Sequence, residues 1–75
     1  MENIVVTALQ EGAKGTVVNF TDDHVASKLM SMGMLPGSAI EVIRIAPLQG
    51  GLYIKVDGNG LALRMQEAAH IQVKQ

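Results

Sequence analysis

Apolar residues in the middle of the chain first follow the period of a helix. Val25, Leu29 and Met32 stand at i, i+4 and i+7, which places them on one helical face. Gly33 then offers the left-handed conformation that commonly ends a helix, and Met34 follows it where its side chain can pack back on Leu29. The pattern predicts one short helix over about residues 23–32, with threonine and aspartate N-cap candidates at its start.

Outside this helix, the apolar positions follow the period of strands. Leu52, Ile54 and Val56 alternate with polar residues, as they do in a half-buried strand. The strands predicted in this way are residues 16–20, 39–46, 52–57, 61–65 and 71–73. The second of them does not alternate cleanly, which indicates a bulge, and Asp57-Gly58-Asn59-Gly60 indicates a tight hairpin. Residues 4–9 fit either a short extended segment or a helical turn.

About five short strands, with one short helix inserted after the first, predict a mainly β fold. The expected architecture is a small, strongly bent barrel of the SH3-like kind, because closure removes most exposed sheet edges. A chain of 75 residues makes a single domain over positions 1–75. We expect Leu29, Val42, Ile54 and Leu63 to be buried together in its core.

The composition narrows the chemistry that this domain can carry. Hydrophobic residues make up 48% and aromatic residues only 3% of the chain, so the core is aliphatic and few rings are free to stack on bases. A net charge of −1 gives no electrostatic reason to expect nucleic acid. Cysteine is absent, which excludes disulfides and thiolate metal sites. With no signal-peptide pattern and no long apolar run, the expectation is a soluble cytoplasmic protein without membrane insertion.

Catalytic and cofactor motifs do not emerge from the sequence. The serines have no evident His-Asp partners, and the glycine pairs lack the lysine and helix of a phosphate loop. We therefore predict a protein that is not an enzyme and carries no cofactor. His24 and His70, with the carboxylates near them, are the candidate ligands for a metal ion. A small metal-binding or metal-sensing protein is accordingly the alternative function.

Three motifs, in the same order and spacing, resemble those of one known family. They are Leu29-Met30-Ser31-Met32-Gly33-Met34-Leu35-Pro36-Gly37, Val42-Ile43-Arg44-Ile45-Ala46-Pro47-Leu48, and Leu61-Ala62-Leu63-Arg64 with Glu67-Ala68. The family is FeoA, whose members are small cytoplasmic proteins of bacterial ferrous iron transport. The resemblance implies an SH3-like barrel and a role beside FeoB, the membrane permease whose cytoplasmic part carries a GTP-binding domain.

The function expected from this resemblance is that of a non-enzymatic accessory protein. It would dock on the GTP-binding part of a FeoB-type permease and modulate the permease's activity or assembly. Apolar residues in and near turns indicate where contact occurs, and we predict a partner-facing patch that includes Met34, Leu35, Leu48 and Tyr53. Lys28 is a further contact candidate: many family members carry a basic pair at this point of the helix, whereas this chain has Ser27-Lys28, so the resemblance implies a weaker electrostatic contact here. Apolar loop residues would also allow weak self-association at high concentration.

Overall fold

A computed structural model describes residues 3–75, which form one six-stranded antiparallel sheet and two short helices. The strands are β1 (Ile4–Val5), β2 (Lys14–Phe20), β3 (Ala39–Ile45), β4 (Leu52–Val56), β5 (Asn59–Leu63) and β6 (Ile71–Lys74). The helices are α1 (Asp23–Ser31) and α2 (Met65–Ala68), and 3-10 turns occupy Val6–Ala8 and Pro47–Gln49. The strand order across the sheet is β1-β6-β2-β3-β4-β5. The mainly β fold with one inserted helix is therefore confirmed.

The strand count differs from the sequence prediction. The sheet has six strands rather than about five, and α1 follows the second strand rather than the first. The added strand, β1, is two residues long, too short to show an alternating pattern, and it exists because Ile4 and Val5 pair with β6. Residues 4–9 thus contain both alternatives left open by the sequence, a short strand and then a helical turn.

Local signals set both ends of α1 much as predicted. The Asp22 carboxylate accepts a hydrogen bond from the Val25 amide at 3.0 Å, which caps the first turn. Gly33 adopts a φ of +96° beyond the last turn, and the chain then reverses so that the Met34 amide donates to the Leu29 carbonyl at 3.0 Å. Met32, which was predicted to share the apolar face, lies past the end of α1 and is exposed.

The predicted bulge and hairpin are both present. The register changes between the pairs Val42↔Ile54 and Arg44↔Tyr53, which leaves Ile43 as the extra residue of β3. Further along, Asp57 and Gly58 form a two-residue loop with φ values of +50° and +88°, as a type I′ hairpin requires. The bulge matters for function, because it sets which side chains of β3 and β4 lie side by side.

The inner face of the sheet surrounds one aliphatic core. Leu29 from α1 and Val42, Ile54 and Leu63 from three strands are all buried in the same cluster, as predicted. Since these residues come from four elements, burial of each depends on the others being in place. Outside the core, the turns at both ends of β3 each carry an exposed leucine, Leu35 before the strand and Leu48 after it.

Candidate docking surface

Met34, which was predicted to belong to the partner-facing patch, is buried in the structure. Its side chain has 0% exposure and belongs to the core cluster, so no partner can touch it. The cause is the left-handed Gly33, which turns the chain back and directs Met34 inward beside Leu29. The prediction that Met34 contacts a partner was therefore wrong, whereas the prediction that Met34 packs back on Leu29 is confirmed.

Leu35 and Leu48 are both exposed, but they lie at opposite ends of β3. Leu35 is 49% exposed in the turn that precedes the strand, where its amide donates to the Ser38 hydroxyl at 3.0 Å. Leu48 follows the strand in the Pro47–Gln49 turn. Seven residues of extended chain separate two turns by roughly 20 Å along the strand. The residues predicted as one patch therefore divide between two ends of the molecule.

Leu48 is the most conspicuous side chain of the surface. It is 99% exposed, and its backbone has a φ of +57° and a ψ of +37°. Gln49 also has a φ of +57°, so two consecutive residues other than glycine adopt the left-handed conformation. Such residues cost free energy and persist where the surrounding structure enforces them. Here two hydrogen bonds enclose the turn, from the Gly50 amide to the Pro47 carbonyl and from the Ala46 amide to the Gly51 carbonyl.

Tyr53 borders a shallow groove next to this turn, which we call the Tyr53 groove. The tyrosine is 46% exposed on the outer face of the sheet, between Arg44 of β3 and Ala62 of β5 in the strand register. The groove has a volume of about 170 Å³. Its lining consists of Arg44, Ala46, Gly50, Gly51, Leu52, Tyr53, Ala62 and Leu63. Leu48 and the groove together form the Leu48 end of the molecule.

Arg44 and Gly51 belong to this surface and were not predicted as site residues. Arg44 joins the groove because the bulge at Ile43 places it directly opposite Tyr53. Gly51 permits the groove because a β-carbon at its position would overlap the carbonyl oxygen of Leu63. The irregular alternation of β3 hinted at the bulge, but the neighbours that result from it depend on the register with β4.

Lys28, the further contact candidate, makes an ion pair within the molecule. Its ammonium group binds the carboxylate of Glu67, which joins α1 to α2. Glu67 also accepts a hydrogen bond from the Arg64 amide at 3.1 Å, at the start of α2. The hydrogen bond from Lys28, followed by that from Arg64, holds the pKa of Glu67 below its ordinary value. Lys28 thus has a structural role that the sequence did not indicate.

We expect the stability of the protein to fall when the pH drops below about 4, where carboxyl groups ordinarily begin to be protonated. The pKa values of Asp22 and Glu67 are both lowered, that of Asp22 chiefly by the Val25 amide. Folded-state pKa values below the unfolded ones give stability that is present above the unfolded pKa and lost as the pH falls through the folded pKa. Thermal midpoints measured from pH 7 to pH 2.5 should therefore decline, and Glu67→Gln should flatten the decline. Equal declines for the wild type and Glu67→Gln would contradict the prediction.

The candidate metal ligands do not converge on a site in the structure. His70 shares a hydrogen bond of 2.9 Å with the Thr21 hydroxyl through Nδ1, while Asp22 caps α1. Both His24 and His70 are near enough to Asp22 to help lower its pKa, after the larger effect of the backbone hydrogen bonds. Within residues 3–75, no group of three or more His, Asp or Glu side chains is placed to hold a metal ion. This arrangement gives the metal-binding alternative no support.

The described helices were also compared with the length of a membrane span. Neither α1 nor α2 is long and apolar enough to cross a bilayer, nor is any other helix within residues 3–75.

The fold and this surface define a class of protein, a small SH3-like β domain with one inserted helix and an exposed apolar end. The sequence model of the FeoA domain matches residues 4–75. Since the match spans nearly the whole chain, the protein belongs to the FeoA family. Members of this family are accessory proteins associated with ferrous iron transport, so the resemblance seen in the sequence is confirmed.

Solved structures of FeoA proteins have the same fold. A crystal structure of an iron uptake regulatory protein, FeoA, is 31% identical, with a TM-score of 0.84 over 99% of this chain and 97% of its own. The solution structure of a FeoA-like protein from Clostridium acetobutylicum is 27% identical, with a TM-score of 0.89 over 99% and 87%. The FeoA of Stenotrophomonas maltophilia, crystallised with zinc and described as a prokaryotic SH3 domain protein, is 24% identical, with a TM-score of 0.80 over 95% and 89%. At that identity the likeness shows the fold alone.

Proposed function

We propose that the protein is a non-enzymatic accessory protein of ferrous iron uptake that docks on the cytoplasmic GTP-binding part of a FeoB-type permease. It acts there by modulating the permease's activity or assembly. Family membership supports the transport role. The Stenotrophomonas protein, which shares the fold, has been suggested to act as a ferrous iron transport activating factor.

The observation that carries the docking proposal is the Leu48 end. A leucine with 99% exposure gains nothing from packing within its own chain, and its left-handed backbone adds a cost. A partner that buries the side chain would supply hydrophobic free energy that offsets the backbone cost. The neighbouring Tyr53 offers a rigid ring at the edge of a groove, the kind of residue that often dominates interface energetics.

The test is a calorimetric titration of the protein against the cytoplasmic portion of the permease, with GTP and with GDP. We expect saturable binding that Leu48→Asp weakens at least about tenfold, because the charge would have to be desolvated at the contact. Stability should be nearly unchanged, since Leu48 packs against nothing in the free protein. A difference in affinity between the GTP-bound and GDP-bound permease portion would show that the nucleotide regulates docking.

Leu35→Asp makes the same substitution at the other end of β3 and decides which end docks. Leu35 also lies in a turn and is about half as exposed as Leu48, at 49% against 99%, so the thermal midpoint of each variant is measured beside its affinity. We expect Leu35→Asp to keep the affinity of the wild type within about twofold, an effect below 0.5 kcal/mol. Loss of binding with Leu35→Asp alone would place docking at the other end, and a flat titration in both nucleotide states would contradict docking on this part of the permease.

A further inference from the structure

One charged residue, Arg44, lines the Tyr53 groove. It is exposed, and its strand partner is Tyr53. Within the described part of the chain, the ion pair between Lys28 and Glu67 is the one found, so no carboxylate lies within 4.0 Å of the Arg44 guanidinium. The carboxylate that bonds nearest to it along the strand is Glu11, which accepts the Ile45 amide at 2.8 Å. Arg44 therefore presents, beside an apolar surface, a positive charge that makes no ion pair within the described residues.

The groove itself suits an apolar side chain. Ala46, Ala62 and the tyrosine ring line it, and the buried leucines 52 and 63 lie beneath. The end of the Tyr53 ring lies against Gly60, where a β-carbon would overlap the phenol oxygen. A tyrosine side chain has few rotatable bonds, so it loses little conformational entropy when a ligand packs on it.

From these observations we infer that the Tyr53 groove binds a segment that carries a large apolar side chain next to an aspartate or glutamate. The apolar side chain fills the groove beside Leu48, and the carboxylate pairs with Arg44, whose planar guanidinium can donate two parallel hydrogen bonds. The inference rests on the proposed docking function and specifies the chemistry of the partner that this end accepts.

A second copy of this chain fits the same surface poorly. If two molecules met through their Leu48 ends about a twofold axis, each Arg44 would border the same contact as its counterpart. Repulsion between the two arginines would disfavour association of two copies through this end. Charge complementarity therefore favours an acidic, apolar segment over self-association at this end.

A selection from a random 12-residue peptide library displayed on phage tests the inference directly. We expect peptides enriched on the immobilised protein to carry Asp or Glu within two positions of Leu, Ile, Met or Phe. Binding of a synthetic peptide chosen from them should weaken about three- to tenfold with Arg44→Gln, and also as salt is raised, since exposed charges are screened. Arg44→Glu should shift the selection to Lys and Arg beside the apolar residue.

Gly60→Ala supplies a variant that alters the groove without removing any group that contacts the peptide. The added methyl group displaces the flexible end of Tyr53, so we expect weaker peptide binding with the thermal midpoint little changed. Failure to enrich any peptide, enrichment of uncharged or basic peptides on the wild type, or enrichment of sequences from this chain itself would each overturn the inference. So would Gly60→Ala and Arg44→Gln variants that bind the selected peptide as well as the wild type does.

The permease titration separates this inference from the proposed function. Suppose that the permease portion binds and that Leu48→Asp weakens this binding, while Arg44→Gln and added salt leave it unchanged. The docking proposal is then supported, and the inference that the partner segment is acidic is contradicted. If acidic, apolar peptides are selected but the permease portion does not bind, then the chemistry of the groove stands and the proposed partner is wrong.

Discussion

Leu29→Ala is expected to lower the free energy of unfolding by about 2–5 kcal/mol, the range measured for large-to-small changes in buried cores. Leu29 is fully buried and is the one buried residue of α1, so its side chain holds the helix on the sheet. Met34 packs in the same cluster, after a turn that bonds back to the Leu29 carbonyl. The loss is a large share of the 5–15 kcal/mol that a small domain usually has.

Chemical denaturation monitored by circular dichroism measures this effect, and the chain offers a matched control. Leu48→Ala is the same substitution at 99% exposure and should change the free energy of unfolding by no more than about 0.5 kcal/mol. Similar losses for the two variants would mean that Leu29 is not in the core or that Leu48 packs on a surface of its own chain.

Gly51→Ala should destabilise the protein by more than about 3 kcal/mol, for two reasons that act together. Gly51 has a φ of +116°, a conformation that residues with a β-carbon rarely adopt. The new β-carbon would also overlap the carbonyl oxygen of Leu63. That oxygen belongs to backbone paired in the β4–β5 ladder, where Leu63 stands opposite Leu52, and it cannot move without disturbing the ladder.

Gly33→Ala separates the two causes. Gly33 has a φ of +96°, but a β-carbon there would meet nothing within 4 Å. This variant therefore carries the backbone strain alone, about 1–2 kcal/mol. Thermal and urea unfolding should show that Gly51→Ala has a much lower free energy of unfolding than Gly33→Ala. Equal stabilities would mean that the approach of Gly51 to Leu63 is looser than the structure shows.

The consequence of Gly51 extends to the proposed binding surface. The glycine lines the Tyr53 groove, and its carbonyl accepts the hydrogen bond from Ala46 that encloses the turn carrying Leu48. A residue that brings two strands together thus also fixes the geometry of the docking end. Partial folding of Gly51→Ala should consequently be accompanied by loss of permease binding.

Most residues of the candidate surface were predicted correctly from the sequence to be exposed, and the errors of that prediction have a common cause. Leu35, Leu48 and Tyr53 were predicted to be exposed because they occur in or near turns, and they are. Met34 was assigned to the same patch, although the turn at Gly33 also predicted that it packs back on Leu29, and it is buried. Turn position says how the chain bends but not which side of the bend faces the core, and that choice requires the packing of distant elements.

The sequence by itself determined the local features of this protein: a helix capped by Asp22 and ended by Gly33, a bulged third strand and a two-residue hairpin. These depend on interactions between residues a few positions apart, which a short stretch of sequence fully contains. Only the tertiary structure decided that β1 forms and that Arg44 meets Tyr53. Each of these depends on the pairing and register of segments far apart in the chain, where a shift of one residue would exchange the inner and outer faces.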